Sequence, residues 1–403
     1  MRYIKQDVLD ILLKNKMGFV CGPRQVGKTT FAKSLLAKKA KETGYFNWDI
    51  PRDKKMILGD SVDFWQMRGL GRHPTIVLDE IHKFPRWKRL LKGFFDANQE
   101  RLNVIVTGSG RLNVFQRGGD SLFGRYHLFH LMPYSLGEIL RGRRLSVPAP
   151  DDLFHMIQNP PPRTAAEVWE HLWNYGGFPE PFHESSAKFY NQWQNDHQQL
   201  ILREDLRDLS RIRDIGLIEQ MVYLLPQRIG SPLSINSLRE DLSVNFHTVK
   251  NWLRVLDYLY YLFSIRPFSG QLARTLNKEE KVYFYDWGEL EDDGKKFENL
   301  MAVHLIKACC YWTDAGYGNF ELWYVRDKEK REVDFLVTDK KVPCFMVEAK
   351  LGDSDIAPSL KYFSDRINVK HAFQVVGNVP HDYCVQRGRI TVVSAKRFLH
   401  ALP

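Results

Sequence analysis

The stretch MGFVCGPRQVGKTT (17–30) joins an apolar run to a glycine-bounded loop and then to the start of a helical pattern. Gly22, Gly27, Lys28 and Thr29 satisfy G-x-x-x-x-G-K-[ST] at every defined position. Pro23, Arg24, Gln25 and Val26 fill the loop, and Thr30 follows it. Glycines let the backbone curl so that successive N–H groups face phosphate, and the helix N-terminus adds its positive dipole end. Lys28 is placed to reach β- and γ-phosphates, and Thr29 to set its hydroxyl on Mg²⁺.

Working outward, the first 140 residues alternate apolar runs with helical patterns. The runs are MGFVC (17–21), YFNW (45–48), TIVL (75–78), NVIVT (103–107) and YHLFHL (126–131), with helical patterns beginning near Lys28, Arg86 and Ser109. Continuous apolar runs predict strands buried on both faces, hence a parallel sheet covered by helices. The run at 75–78 ends in Asp79 and Glu80. Asp79 suits the Mg²⁺ shell through water, and Glu80 suits polarisation of the attacking water, as the catalytic base. NVIVTGSGR (103–111) ends its strand in Thr107 and Ser109, which are γ-phosphate sensors or simple turn formers.

Composition narrows the class. The 403 residues are 44% hydrophobic and 26% charged, which excludes wholesale disorder and fibrous repeats. No apolar stretch approaches the roughly 18 residues of a membrane helix, and MRYIKQDVLDILLKNK (1–16) lacks a signal-peptide core. Five scattered cysteines form neither a disulfide framework nor metal-ligand spacing, so a reduced, cytoplasmic protein without a membrane partner is expected. Net charge is +10 and uneven: residues 1–150 carry 27 Lys+Arg against 13 Asp+Glu, and the remainder carries 31 against 35. A basic first third points to an anionic partner, nucleotide phosphate or nucleic acid, or else to a solvated basic face.

Four segments are expected: 1–140, a nucleotide-binding domain; 141–214, a Pro-rich linker and helical segment; 215–290, a winged helix; and 291–403, a second α/β domain. The linker reading rests on SVPAPDDLFHMIQNPPPRT (146–164). The winged helix rests on SINSLREDL (234–242) and NFHTVKNWLRVLDYL (245–259), followed by the aromatic ribbon of YYLFSIRPF (260–268) and KVYFYDW (281–287). In the second helix Phe246, Val249, Trp252, Leu253, Leu256 and Leu259 share a face, and His247, Lys250, Asn251 and Arg254 lie mostly opposite. In the last segment, strands EVDFLV and CFMVEAK deliver Asp334, Glu348 and Lys350. Asp334 and Glu348 are expected to share one Mg²⁺, with Lys350 holding the attacking water.

GPRQVGKTT, VLDEIHKFPRWKRLLK, VTGSGR and LFGRYHLFHLMPYSLGEIL, in that order, resemble prokaryotic P-loop ATPases of the AAA superfamily. The resemblance extends to those joined to a C-terminal restriction-endonuclease-like domain of unknown function, and YGGFPEPF (175–182) is similar to a family segment. It implies an α/β fold with a five-stranded P-loop NTPase sheet, an extra strand between the loop strand and the Asp-Glu strand, a winged-helix middle, and ATP as nucleotide. The C-terminal strands resemble a PD-(D/E)xK nuclease core in which Glu298 of FENL fits the helical glutamate. Val333 stands where that core usually has proline. Arg125 in FGRYHL is the phosphate-facing candidate, a surface arginine before a strand being the alternative, and no trans-acting arginine finger is assigned.

Three functions remain open from the sequence. One is Mg²⁺-dependent ATP hydrolysis controlling a module associated with DNA or RNA, itself a candidate nuclease. Another is a nucleotide-dependent switch that recruits a protein partner and carries an inactive nuclease-like domain. The last is a DNA-binding regulator acting through the winged helix. The oligomeric state is not legible.

Overall fold

The structure is a computed structural model that describes residues 2–37, 43–108, 122–142, 147–209, 214–269, 279–352, 355–379 and 381–403. It divides into two units, Met1–Met132 and Pro133–Pro403. The expected helical pattern near Ser109, and Ser109 itself, lie outside the described residues.

The first unit is built on β1 (Met17–Cys21), β2 (Tyr45–Asn47), β3 (Thr75–Asp79), β4 (Asn103–Thr107) and β5 (Tyr126–His130). All pairs are parallel, in the order β2-β3-β4-β1-β5, so β4 lies between the loop strand and the Asp-Glu strand. Helices α1 (Lys5–Leu13), α2 (Lys28–Leu35), α3 (Pro51–Gly59) and α4 (Trp87–Asn98) belong to this unit. Every residue of β1 is buried, as its unbroken apolar run requires. Helix α4 buries Trp87, Leu91, Phe94, Phe95 and Asn98, the stripe that its 3.6-residue period predicts.

Parallel strands end at one edge, where ligands of open α/β sheets bind. Val20 of β1 pairs with Thr107 of β4, Thr107 with Asp79 of β3, and Asp79 with Asn47 of β2. The register therefore brings Asp79 and Thr107 level with the start of the loop.

The second unit carries one sheet of eight strands: β6 (Leu262–Pro267), β7 (Lys281–Phe284), β8 (Phe320–Arg326), β9 (Glu332–Asp339), β10 (Val342–Lys350), β11 (His371–Val376), β12 (Cys384–Arg387) and β13 (Ile390–Ser394). Their order is β12-β13-β11-β10-β9-β8-β6-β7. Val333, Leu336, Met346, Leu360 and Ala372 form part of a buried core cluster under it.

Two features of the fold bear on the expected segments. The β6–β7 ribbon does not stand apart as a wing, because β6 pairs in parallel with β8 through Arg266–Trp323 and Pro267–Tyr324. A ribbon with unpaired edge groups gains hydrogen bonds by joining a neighbouring sheet, so the 290/291 boundary runs through one sheet. Inside the Pro-rich stretch, Leu153–Ile157 forms a short helix that buries Leu153 and Ile157, since apolar residues there outweigh the flanking prolines.

The two helices read as a helix–turn–helix are Ile235–Asp241 and Phe246–Tyr258, capped by the side chains of Ser234 and Asn245. The second buries Val249, Trp252 and Leu256, while His247, Lys250, Asn251 and Arg254 are exposed. Phe246 is exposed as well, its ring set edge-on to His247 in the first turn.

Candidate functional site

The loop after β1 is shaped by its glycines. Gly22 has φ +144°, and a Cβ there would lie 2.1 Å from the Leu131 carbonyl oxygen. Gly27 caps α2 with φ +89°, a left-handed conformation that side chains oppose. Gln25 also adopts positive φ, at 61°. Arg2 Nη1 donates to the Val26 carbonyl at 2.8 Å and braces the loop from the chain's second residue.

Lys28 opens α2 and is 9% exposed. Its ammonium donates to the Gly22 carbonyl at 2.9 Å and the Pro23 carbonyl at 2.6 Å, which holds the charge on the loop. Pro23 and Val26 are buried, Arg24 and Gln25 partly so, and Thr30 faces outward.

Asp79 is 4% exposed and gathers three hydroxyls. Thr29 Oγ1 donates to Oδ2 at 2.8 Å, Tyr45 Oη donates to Oδ2 at 2.6 Å, and Thr107 Oγ1 donates to Oδ1. Burying a carboxylate without such partners is costly. Burial, then the bond to Asp79, hold the Tyr45 phenol well above its usual pKa, so it remains a donor. Neither Tyr45 nor Arg2 belongs to a motif, so the sequence marks neither as part of the site.

Glu80 follows Asp79 with φ 57°, and its backbone N–H donates to the Thr107 carbonyl at 3.0 Å. Lys83 Nζ lies 3.5 Å from its carboxylate and His82 Nε2 3.6 Å. Burial raises the Glu80 pKa, with Lys83 opposing, the direction a general base working near neutral pH requires.

Arg125 is not part of this arrangement. It precedes β5, and its carbonyl accepts from Met17 N–H at 2.9 Å, at the sheet edge where β1 begins. The loop begins at the other end of β1, about 16 Å of strand away. Arg125 instead makes a two-bond pair with Asp96, at 2.6 and 3.0 Å. The strand order β1-β5 puts it there; its sequence position after FG carries no such information.

The donor set fits a Mg²⁺–nucleotide: a loop that a Cβ would fill, a lysine on it, a helix N-terminus, and a hydroxyl–carboxylate pair in Thr29 and Asp79.

In the second unit, Asp334 on β9 and Glu348 on β10 face each other across an antiparallel pair, with Val347 opposite Phe335 next to them. Asp334 N–H donates to Glu348 Oε2 at 3.4 Å, and Ala349 N–H donates to Asp334 Oδ2 at 2.9 Å. Lys350 Nζ lies 2.8 Å from Glu348 Oε1, as same-face spacing predicts. Glu298, on helix Asp293–Asp314, accepts from Tyr283 Oη at 2.7 Å. Burial, and next the Asp334 charge, push Glu298 and Glu348 up to about 7 each. The four expected residues therefore do come together.

Two further residues join them. Lys281 of β7, 1% exposed in its side chain, lies 2.8 Å from Glu332 Oε1, 3.2 Å from Glu298 Oε1 and 3.7 Å from Asp334 Oδ1. Burial alone would lower its pKa, but these carboxylates outweigh burial and raise it. Glu332 was legible, lying two positions before Asp334 on the same strand face. Lys281 was not, since nothing in the sequence says that β7 reaches this sheet. Among the described residues, no set of three or more His, Cys, Asp or Glu side chains is arranged to hold a metal ion.

Residues 14–140 match the family model of an AAA domain. Residues 166–291 match a domain of unknown function (DUF8612), and 293–398 another domain of unknown function (DUF4143). Two uncharacterized proteins of Methanocaldococcus jannaschii, MJ1544 and MJ1637, are similar over most of the chain. The first is 22% identical over 383 residues, covering 91% of this chain and 82% of the relative. The second is 22% identical over 422 residues, covering 94% and 84%. Among solved structures, the Aeropyrum pernix Orc1 protein in complex with DNA aligns with a TM-score of 0.34 at 17% identity, over 73% of this chain and 90% of that one. Among the described residues no helix is long and apolar enough to cross a membrane. The first unit is a P-loop domain of the AAA type.

Proposed function

With an AAA-type P-loop domain as the premise, we propose that the chain binds ATP with Mg²⁺ and hydrolyses it, and that its nucleotide state controls the nuclease-like second unit, which associates with nucleic acid. The observation that carries the hydrolytic reading is the Asp79 carboxylate, bonded to Thr29 on the loop helix and followed by the raised-pKa Glu80.

In this reading the loop N–H groups and Lys28 bind the β- and γ-phosphates. Thr29, and Asp79 through water, would hold a Mg²⁺, which would supply neutralisation of phosphate charge. Glu80 accepts a proton from the attacking water, and Thr107 orients the Asp79 carboxylate from β4. Association of the chain with DNA or RNA is supported indirectly, by the basic first third, 27 Lys+Arg against 13 Asp+Glu in residues 1–150, part of which serves the nucleotide phosphates.

Steady-state phosphate release with and without DNA and RNA, on the full chain and on Glu80→Gln, tests the proposal. Turnover that is lowered by roughly 10²-fold or more in Glu80→Gln and stimulated by nucleic acid is expected. A wild-type chain that holds ATP without turnover would replace this reading with the nucleotide-dependent switch that recruits a protein partner. One observation already favours the inactive nuclease-like domain of that second reading: the Lys281 ammonium among the acids of the second unit.

A further inference from the structure

A divalent ion shared by Asp334 and Glu348 would need their oxygens at about 2.1 Å for Mg²⁺, in near-octahedral geometry. Those oxygens already face N–H groups. Asp334 Oδ2 accepts from Ala349 N–H, and Asp334 Oδ1 faces Lys281 at 3.7 Å. Glu348 Oε2 accepts from Asp334 N–H, and Oε1 faces Lys350 at 2.8 Å. Each oxygen keeps a further lone pair, so these bonds narrow the site for a metal ion, and the ammonium of Lys281 decides whether one fits.

The charge balance weighs against one. Glu298, Glu332, Asp334 and Glu348 are met by Lys281, Lys350 and Arg326, whose Nη1 lies 2.6 Å from Glu332 Oε2. An ammonium has three N–H donors and no acceptor. Lys281 faces three carboxylates, from β9 and from helix Asp293–Asp314. A divalent cation beside it would meet a like charge in a poorly hydrated pocket, where Coulomb repulsion is weakly screened.

We infer that Lys281 is the resident cation of this cluster and takes the place of a divalent metal ion, so that the Asp334–Glu348 pair holds no metal in the folded chain. In the strand order β8 and β6 stand between β9 and β7. The lysine therefore reaches the acids through its side-chain contacts with Glu298, Glu332 and Asp334, not through sheet adjacency. Metal-assisted phosphodiester hydrolysis is not available at these residues, and the second unit keeps the architecture as a binding module. The inference does not depend on ATP hydrolysis by the first unit.

Mn²⁺ uptake by the full chain without nucleotide, read from the loss of the free-ion electron paramagnetic resonance signal, tests it. Wild type and Asp334→Asn should take up the same amount. Lys281→Met should gain one Mn²⁺ per chain, and the added Asp334→Asn substitution should remove it. Uptake by wild type that Asp334→Asn abolishes would overturn the inference, as would a folded Lys281→Met that gains no ion. If Lys281→Met does not fold, Lys281→Gln takes its place, and the comparison of wild type with Asp334→Asn still decides. Phosphate release, measured in parallel, reports separately on the first unit.

Discussion

Tyr45 Oη lies 2.6 Å from Asp79 Oδ2, one strand across from the acid it serves. With Thr29 bonded to the same oxygen and Thr107 to the other, the carboxylate is aimed before any ligand arrives. Preorganised groups of this kind avoid reorganisation cost during reaction.

Tyr45→Phe should leave the fold intact and lower the stability of the first unit by about 1.5–3 kcal/mol, the usual worth of a hydrogen bond to a charged group. Turnover should fall less than in Glu80→Gln, because Thr29 and Thr107 still hold Asp79. Chemical denaturation beside phosphate release measures both; a larger catalytic loss than that of Glu80→Gln would give Tyr45 a direct role.

Lys28→Ala should sharply weaken ATP binding, since it removes the positive charge held on the loop. Calorimetric titration reads the affinity. Unchanged affinity would mean that the loop is not the phosphate site.

Glu80→Gln should retain ATP binding and lower hydrolysis by roughly 10²-fold or more. Because burial raises the Glu80 pKa, the acid limb of the turnover profile should be displaced upward from the ordinary glutamate value and vanish in the variant. A variant that turns over like wild type removes Glu80 as the base.

A pH effect on stability is expected from the second unit. Glu289 accepts from Tyr261 Oη and is pushed up to about 8 from an ordinary 4.5 by burial, then by the Asp286 charge. The folded state holds a proton that the unfolded chain releases between those values. This group's contribution is therefore full below about 4.5 and is lost as pH rises through about 8. Glu289→Gln should flatten the fall in unfolding free energy across that window, by about 1.4 kcal/mol for each pKa unit removed, read by chemical denaturation at a series of pH values. An unchanged slope in the variant would place its source elsewhere.

Nucleic-acid binding, if driven by the basic first third, should weaken steeply with salt. Four to five phosphate contacts on duplex DNA correspond to a log–log slope of about −4. Fluorescence titration across salt concentrations reads the slope, and no binding at low salt would leave the protein-partner reading in front.

The chain's local order was sufficient wherever the chemistry is local. The loop 22–29, its strand and its helix are contiguous, so one stretch carried both the residues and the geometry that makes them useful. Asp79 and Glu80 were legible because an apolar run ending in two acids puts them at a strand's C-terminal end. Asp334, Glu348 and Lys350 were legible because alternation along a strand sets which residues share a face. Strand pairing was not written locally. The pairing of β2 with β3 sets Tyr45 opposite Val77, within side-chain reach of Asp79, the order β1-β5 carries Arg125 away from the loop, and side-chain packing sets Lys281 of β7 among the acids. Side-chain periodicity records which face of a strand is buried but says nothing about which strand lies beside it. The identity of the acids was therefore a property of the sequence, and the cation that balances them was decided only by the tertiary fold.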